Sequence, residues 1–183
     1  MARRFRGESQ HKVDKKGRVS IPASFRRVLV QGDTDSDGEN PNVVIVYGDH
    51  RRNYLECYTM AAMDEVDDMI ARLPRGSKNR RMLERLFSGQ SHQTQVDDTG
   101  RLVLPQKLRE KIGIDDEAFF VATGDTFQIW NPAAYEEDAR KTEEWLDDLP
   151  DDFDPLTLLD GASPEAAPET PGPDASAGDT GSE

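Results

Sequence analysis

Apolar and polar positions alternate in short runs along most of this chain, and the runs come in a recurring order. Residues 10–14 predict a strand, DKKG a turn, and residues 18–21 a second strand. Pro22 opens a short helix, PASFRRVL, at a position where its missing N–H costs little. QGDTDSDGENPN is a loop of turn residues. VVIVY and YLECY predict strands on either side of GDHRR. Thr59 is placed to cap a helix from about Met60 to Leu73, in which Met63, Val66, Ile70 and Leu73 keep helical spacing. PRGS breaks that helix, and KNRRMLERLF predicts another with Met82, Leu83, Leu86 and Phe87 facing inward.

The order then repeats. SHQTQV predicts a strand, DDTG a turn, RLVL a strand, and PQKLREKI a helix closed by Gly113. AFFVAT and TFQIW predict strands around GD, and Asn131 with Pro132 begins a long helix to about Leu149. VDKKGRVSIP, beginning at Val13, returns as VDDTGRLVLP, beginning at Val96, and YLECYTMAA faces TFQIWNPAA at an offset of 72. Residues 13–26 set against 96–109 give six identities in 14 positions, where chance gives roughly one. The repeated letters Asp14/Asp97, Gly17/Gly100, Arg18/Arg101 and Pro22/Pro105 are turn and surface types, so the repeat preserves more than packing. Each half holds about 50 residues of short strands and one small helix, too little to be stable alone. Two interleaved halves sharing one core predict an α+β, mostly β, pseudo-two-fold domain. The expected organisation is a first repeat with a helical extension over 1–90, a second repeat over 91–146, and a tail over 147–183.

Charge changes this picture because it is segregated. The 183 residues carry a formal net charge of −13, yet residues 147–183 alone hold eleven carboxylates, no Lys or Arg, and six of the eleven prolines. Such a stretch cannot bury enough apolar surface to offset its ordering entropy, and it is expected to be disordered. The first 32 residues carry nine Lys/Arg against Glu8 and Asp14, so an acidic total does not argue against a polyanion partner for that end. Cys57 is the single cysteine, which excludes an intrachain disulfide framework and suggests a reducing compartment. MARRFRGESQ has no apolar stretch after its basic residues and is not read as a signal peptide, and no run approaches a membrane span. The expected location is cytoplasmic, with no membrane partner.

Chemistry concentrates in the twice-written turn. Gly17 and Gly100 permit a tight hairpin from which side chains project, while Asp14 and Asp97 can orient the turn and hold an arginine in a fixed direction. Arg18 and Arg101 are suited to guanine O6 and N7 through a bidentate fork; lysine acts as a point charge. The first turn carries Lys15, Lys16 and Arg18, with Lys12 just before it. The second has Asp98 and Thr99 where the lysines stood, so the first turn is expected to do most of the contacting. The plainer alternative is that both Asp–Arg pairs are salt bridges that only fix hairpin tips. Arg3, Arg4 and Arg6 would add phosphate contacts, and Arg75, Lys78, Arg80, Arg81 and Arg85 form a basic helix face of either kind. His11, His50 and His92 are scattered without metal-ligand spacing, Cys57 reads as a buried apolar residue, and Phe127 and Trp130 as core or subunit interface. No phosphate loop, nucleophile elbow or paired catalytic carboxylates are found. No enzyme activity, catalytic residue, metal or cofactor is expected.

Asp-x-x-x-Arg followed by an apolar strand and proline, twice in one chain, resembles the MraZ family of bacterial transcriptional regulators, built from two tandem SpoVT-AbrB-type units. FRGES, VDKKGRVSIPASFR, RRMLERLFSGQ, VDDTGRLVLPQKLRE and TFQIWNPAAYEE stand in that family's order, covering residues 5 to about 145. The resemblance implies a swapped-hairpin β-barrel with flanking helices and a ring-like homo-oligomer. It also implies binding to repeated promoter boxes in double-stranded DNA, and with it nucleoid association, and repression of the protein's own operon in the division and cell-wall gene cluster. Carried over, the DNA-contacting positions are Lys16, Arg18 and Arg101. The tail departs from the family pattern. An antitoxin-like DNA-binding protein of the same fold, with a protein partner, is the alternative.

Overall fold

A computed structural model describes residues 4–33, 36 and 38–161, in two compact units, Met1–Ala139 and Arg140–Glu183. The first half contributes β1 (Glu8–Lys12), β2 (Arg18–Ser20), α1 (Ala23–Gln31), β3 (Asn42–Val46), β4 (Tyr54–Tyr58), α2 (Met60–Ala71) and α3 (Lys78–Glu84). A π-helical turn, Arg85–Gly89, extends α3. The second half contributes β5 (Ser91–Gln95), β6 (Arg101–Val103), α4 (Gln106–Lys111), β7 (Glu117–Ala122), β8 (Thr126–Trp130) and α5 (Pro132–Asp147). Local chemistry sets the helix starts. Pro22 and Pro105 stand at the N-caps of α1 and α4. The Thr59 hydroxyl accepts from the Ala62 N–H at 3.0 Å, and the Asn131 carboxamide oxygen accepts from Ala133 N–H at 2.9 Å.

The strands are all antiparallel and the two halves interleave. A six-stranded sheet runs β1-β7-β8-β4-β3-β5, and β2 and β6 form a separate two-stranded ribbon. Thus β1 of the first half lies on β7 of the second, and β4 lies on β8. Val19 is paired with Leu102, its own counterpart in the repeat, and Glu56 with Gln128, its counterpart at the offset of 72. A residue facing its own equivalent marks a pseudo-two-fold axis, and both seams carry one. Val13 bridges to Val19 and so ties the large sheet to the β2–β6 ribbon.

Packing follows from period-two alternation. Val43, Ile45, Leu55, Cys57, Phe120, Phe127 and Ile129 are fully buried on one face of the sheet, with Phe5, Phe25 and Phe127 meeting at ring-centroid distances of 5.1–5.3 Å. Burial also pushes the Cys57 thiol well above its ordinary pKa, so it is held protonated. The other face presents Val44, Val46 and Tyr58 to Met63 of α2 and to Phe87.

One predicted facing is wrong. Met82 is exposed, and α3 has no fully buried residue. Its inner face is instead set by Arg80, whose guanidinium donates to the Ala71 and Leu73 carbonyls and to Glu84. Those carbonyls are left without helical partners where α2 ends, and Arg80 satisfies them. Turning Arg80 inward carries Leu83, Glu84 and Phe87 with it and rotates Met82 outward.

In the second unit the C-terminal part of α5 is followed by a 3-10 turn, Pro155–Asp160, which the Asp154 carboxylate caps by accepting from the Leu156 N–H. The rest of the segment expected to be a disordered tail, 162–183, lies outside the described residues.

Candidate nucleic-acid interface

The two turns have the same geometry. Gly17 and Gly100 adopt φ of 81° and 78°, in the left-handed region that favours glycine. In the first turn one Asp14 oxygen accepts from the Lys16 and Arg18 backbone N–H groups at 2.9 Å each, while the other accepts from Arg18 Nε at 2.6 Å. In the second, Asp97 accepts from the Thr99 and Arg101 N–H groups at 3.0 and 2.9 Å, and from Arg101 Nε at 3.2 Å. The expected salt bridges are therefore present, but they do not consume the arginines. Each is held through Nε alone, and among the described residues Arg18 Nη1 and Nη2 have no partner. A guanidinium anchored at one edge presents its outer fork in a fixed direction.

The turns differ in what surrounds the carboxylate. Thr99 donates its hydroxyl to Asp97 at 2.7 Å, whereas Lys15 and Lys16 leave their side chains exposed. The Asp14 carboxyl is held below its ordinary pKa, chiefly by the Arg18 backbone N–H. The Asp97 carboxyl is brought down to about 2, first by the Thr99 hydroxyl and then by the Arg101 N–H. A carboxyl held low in the folded state adds stability that is present above its unfolded pKa of about 4 and fades as pH falls toward about 2. Thr99→Ala is expected to move the Asp97 midpoint up toward the ordinary 3.8, read by NMR titration of the side-chain carboxyl. An unmoved midpoint would remove Thr99 from this account.

The interleaving places each turn against the other half of the chain. The Gly17 carbonyl accepts from Leu104 N–H at 2.8 Å, and the Gly100 carbonyl from Ile21 N–H at 3.0 Å. A Cβ at Gly17 would overlap the Leu104 carbonyl, and one at Gly100 the Arg26 guanidinium. Arg109, the repeat counterpart of Arg26, donates to the Leu104 carbonyl beside Gly17. Arg26 and Arg109 thus brace the turns from behind and add positive charge there. They went unrecognised as site residues in the sequence, although they are one of the six repeated identities.

The ribbon completes the surface. Arg18 pairs with Val103 and Ser20 with Arg101, so these four share one face, while Val19 and Leu102 are buried on the other. The Arg18 and Arg101 side chains are 39% and 36% exposed. As diagonal neighbours they stand roughly 7–8 Å apart by sheet geometry.

Other expected contributors lie elsewhere. β1 carries Lys12 toward the first turn, whereas Arg4 and Arg6 precede its other end. There Arg4 lies 4.0 Å from Asp125. Arg3 lies outside the described residues. In the basic helix face Arg80 is committed to the α2 carbonyls, and Arg75, Lys78, Arg81 and Arg85 are exposed. Among the described residues no three His, Cys, Asp or Glu side chains gather as a metal site, and no helix is long and apolar enough to cross a membrane.

Comparison with known proteins finds the profile of MraZ protein, an antitoxin-like family, matching residues 4–86 and again 87–151. A protein named transcriptional regulator MraZ from Ruegeria pomeroyi is 70% identical over 164 residues, spanning 88% of this chain and 98% of its own. Its namesake from Cereibacter sphaeroides is 44% identical over 167 residues, 87% and 98% of the two chains. That from Parvibaculum lavamentivorans is 39% identical over 132 residues, 72% and 78%.

Proposed function

The chain belongs to the MraZ family, and from that premise we propose that it is a sequence-specific DNA-binding transcriptional regulator whose reading head is the outer face of the β2–β6 ribbon with its two turns. No enzyme chemistry is attached to this reading. The observation that carries it is the common face of Arg18 and Arg101, each anchored to its aspartate through Nε. The major groove admits a two-stranded ribbon, and Arg pairs bidentately with guanine there. A separation of roughly 7–8 Å matches about two base-pair steps of 3.4 Å. Lys15, Lys16 and, less directly, Lys12 supply phosphate contacts that raise affinity without specifying sequence.

One such face per subunit makes few base contacts. A ring-like homo-oligomer presenting several faces along regularly spaced promoter boxes would convert weak contacts into avidity. The same reading takes the two ladders as one swapped-hairpin barrel, places the protein in the cytoplasm on the nucleoid, and makes it a repressor of its own operon.

Fluorescence anisotropy on the duplex upstream of its own gene, against a scrambled duplex and across salt, tests this. Native preference with a steep salt dependence is expected; equal weak binding to both sinks the reading. In the same assay Lys15→Ala and Lys16→Ala are expected to weaken both duplexes alike and to reduce the salt slope by about one per lost phosphate contact.

A second reading, an antitoxin-like DNA-binding protein with a protein partner, is supported by Leu156 and Leu159, which stand exposed among carboxylates in the second unit. Truncation after Leu146 that spares promoter affinity but loses a co-purifying small protein would favour it.

A further inference from the structure

The reading face is not symmetric in chemistry, although it is symmetric in geometry. The pseudo-two-fold relates Arg18 to Arg101, and by the same operation Ser20 to Val103. Opposite Arg101 lies a hydroxyl; opposite Arg18 lies an isopropyl group that is 46% exposed. Among the described residues of the first unit, the other large exposed hydrophobics are Met69 on α2 and Met82 on α3, so Val103 stands apart from them. Its neighbours on that face of the ribbon, Arg18, Ser20 and Arg101, are polar or charged.

We propose that Val103 is a specificity-determining residue that packs on the C5-methyl group of a thymine beside the base pair read by Arg18, making the preferred site asymmetric under the ribbon. This rests on the reading of the ribbon face as the DNA-binding surface. Thymine is the one base that presents an apolar group in the major groove, and small apolar side chains are its usual contacts. Directly opposed strand residues have Cβ atoms about 4.5–5.5 Å apart, so a base touched by Val103 lies within about two steps of the one held by Arg18. Ser20 can donate or accept a hydrogen bond to several bases and discriminates less. The lysines of the first turn and Asp98 of the second break the symmetry in the same sense, loading both charge and apolar contact onto the Arg18 side.

The test removes the methyl from DNA instead of only changing the protein. The duplex upstream of the protein's gene is prepared once with thymidine and once with deoxyuridine throughout, and Kd is measured on both for the wild-type chain, Val103→Ser and Val103→Thr. General effects of uracil on duplex shape enter all three proteins equally and cancel in the ratio. One buried methyl is worth about 0.8 kcal/mol, so the uracil penalty of the wild type is expected to exceed that of Val103→Ser by about fourfold for each engaged subunit. Val103→Thr, which keeps a γ-methyl, is expected to stay close to the wild type. Equal uracil penalties for wild type and Val103→Ser would overturn the proposal and leave valine there for strand propensity alone. Arg18→Ala separates that failure from failure of the premise. If it binds the thymidine duplex as the wild type does, the ribbon face does not meet DNA and both readings fall.

Discussion

Arg18→Ala is expected to weaken binding to the native promoter duplex by about one to two orders of magnitude for each engaged subunit, and to leave the protein folded. The size follows from the contact. A bidentate Arg–guanine pair is worth about 1–3 kcal/mol of discrimination, and in an assembly with several bound faces the losses multiply. The fold survives because the Asp14–Arg18 pair is solvent-exposed and surface ion pairs contribute little. Asp14 also keeps the Lys16 and residue-18 backbone N–H bonds, so the turn does not depend on the guanidinium. Preference for native over scrambled duplex should fall along with affinity, which separates a base contact from the sequence-blind loss expected of the lysines. Arg101→Ala is expected to cost less, since Asp98 stands beside it where the first turn has lysine. Anisotropy titrations of the three proteins on both duplexes decide it, with circular dichroism to confirm folding. Undiminished native preference in Arg18→Ala would reduce its ion pair to a device for shaping the hairpin.

Much of this was legible in the chain because the signals are local. The YLECY run coincides with β4, the Thr59 cap with the start of α2, and both prolines with the starts of α1 and α4. The two turns were legible as turns because two copies of one motif raise a weak signal to a specific one. Arg26 and Arg109 were missed for the opposite reason. Their role is to brace a turn belonging to the other half, and a cross-half contact leaves no trace in local spacing. The facing of α3 was misjudged because apolar periodicity assumes that the helix seeks a hydrophobic groove. Here two unsatisfied carbonyls at the end of α2 outweighed a methionine. The pairing of β2 with β6, which builds the proposed reading face, is a meeting of residues 83 apart in sequence. Only the repeat hinted at it, through the expectation that the halves interleave.

Neighbouring residues of β6 should respond to substitution in opposite ways. Leu102 is completely buried in the main core and faces Val19 across the pseudo-two-fold seam, whereas Val103 turns outward. Leu102→Ala removes buried methyl groups and leaves a void that a tightly packed seam closes only in part, at a cost of about 2–5 kcal/mol. For a folded part of this size that is on the order of 10 °C in Tm. Val103→Ser exchanges one exposed group for another and is expected to stay within about 0.5 kcal/mol of the wild type. The pair therefore distinguishes the two faces of a three-residue strand, and it also guards the uracil experiment, since a Val103→Ser protein of native stability cannot owe a changed DNA response to unfolding. Leu102→Ala should weaken binding to thymidine and deoxyuridine duplexes in equal proportion, because it loosens both arginines together without touching a base. Thermal unfolding followed by circular dichroism checks the stability of both variants. A Leu102→Ala protein as stable as the wild type would mean that β2 and β6 are not the seam joining the two halves.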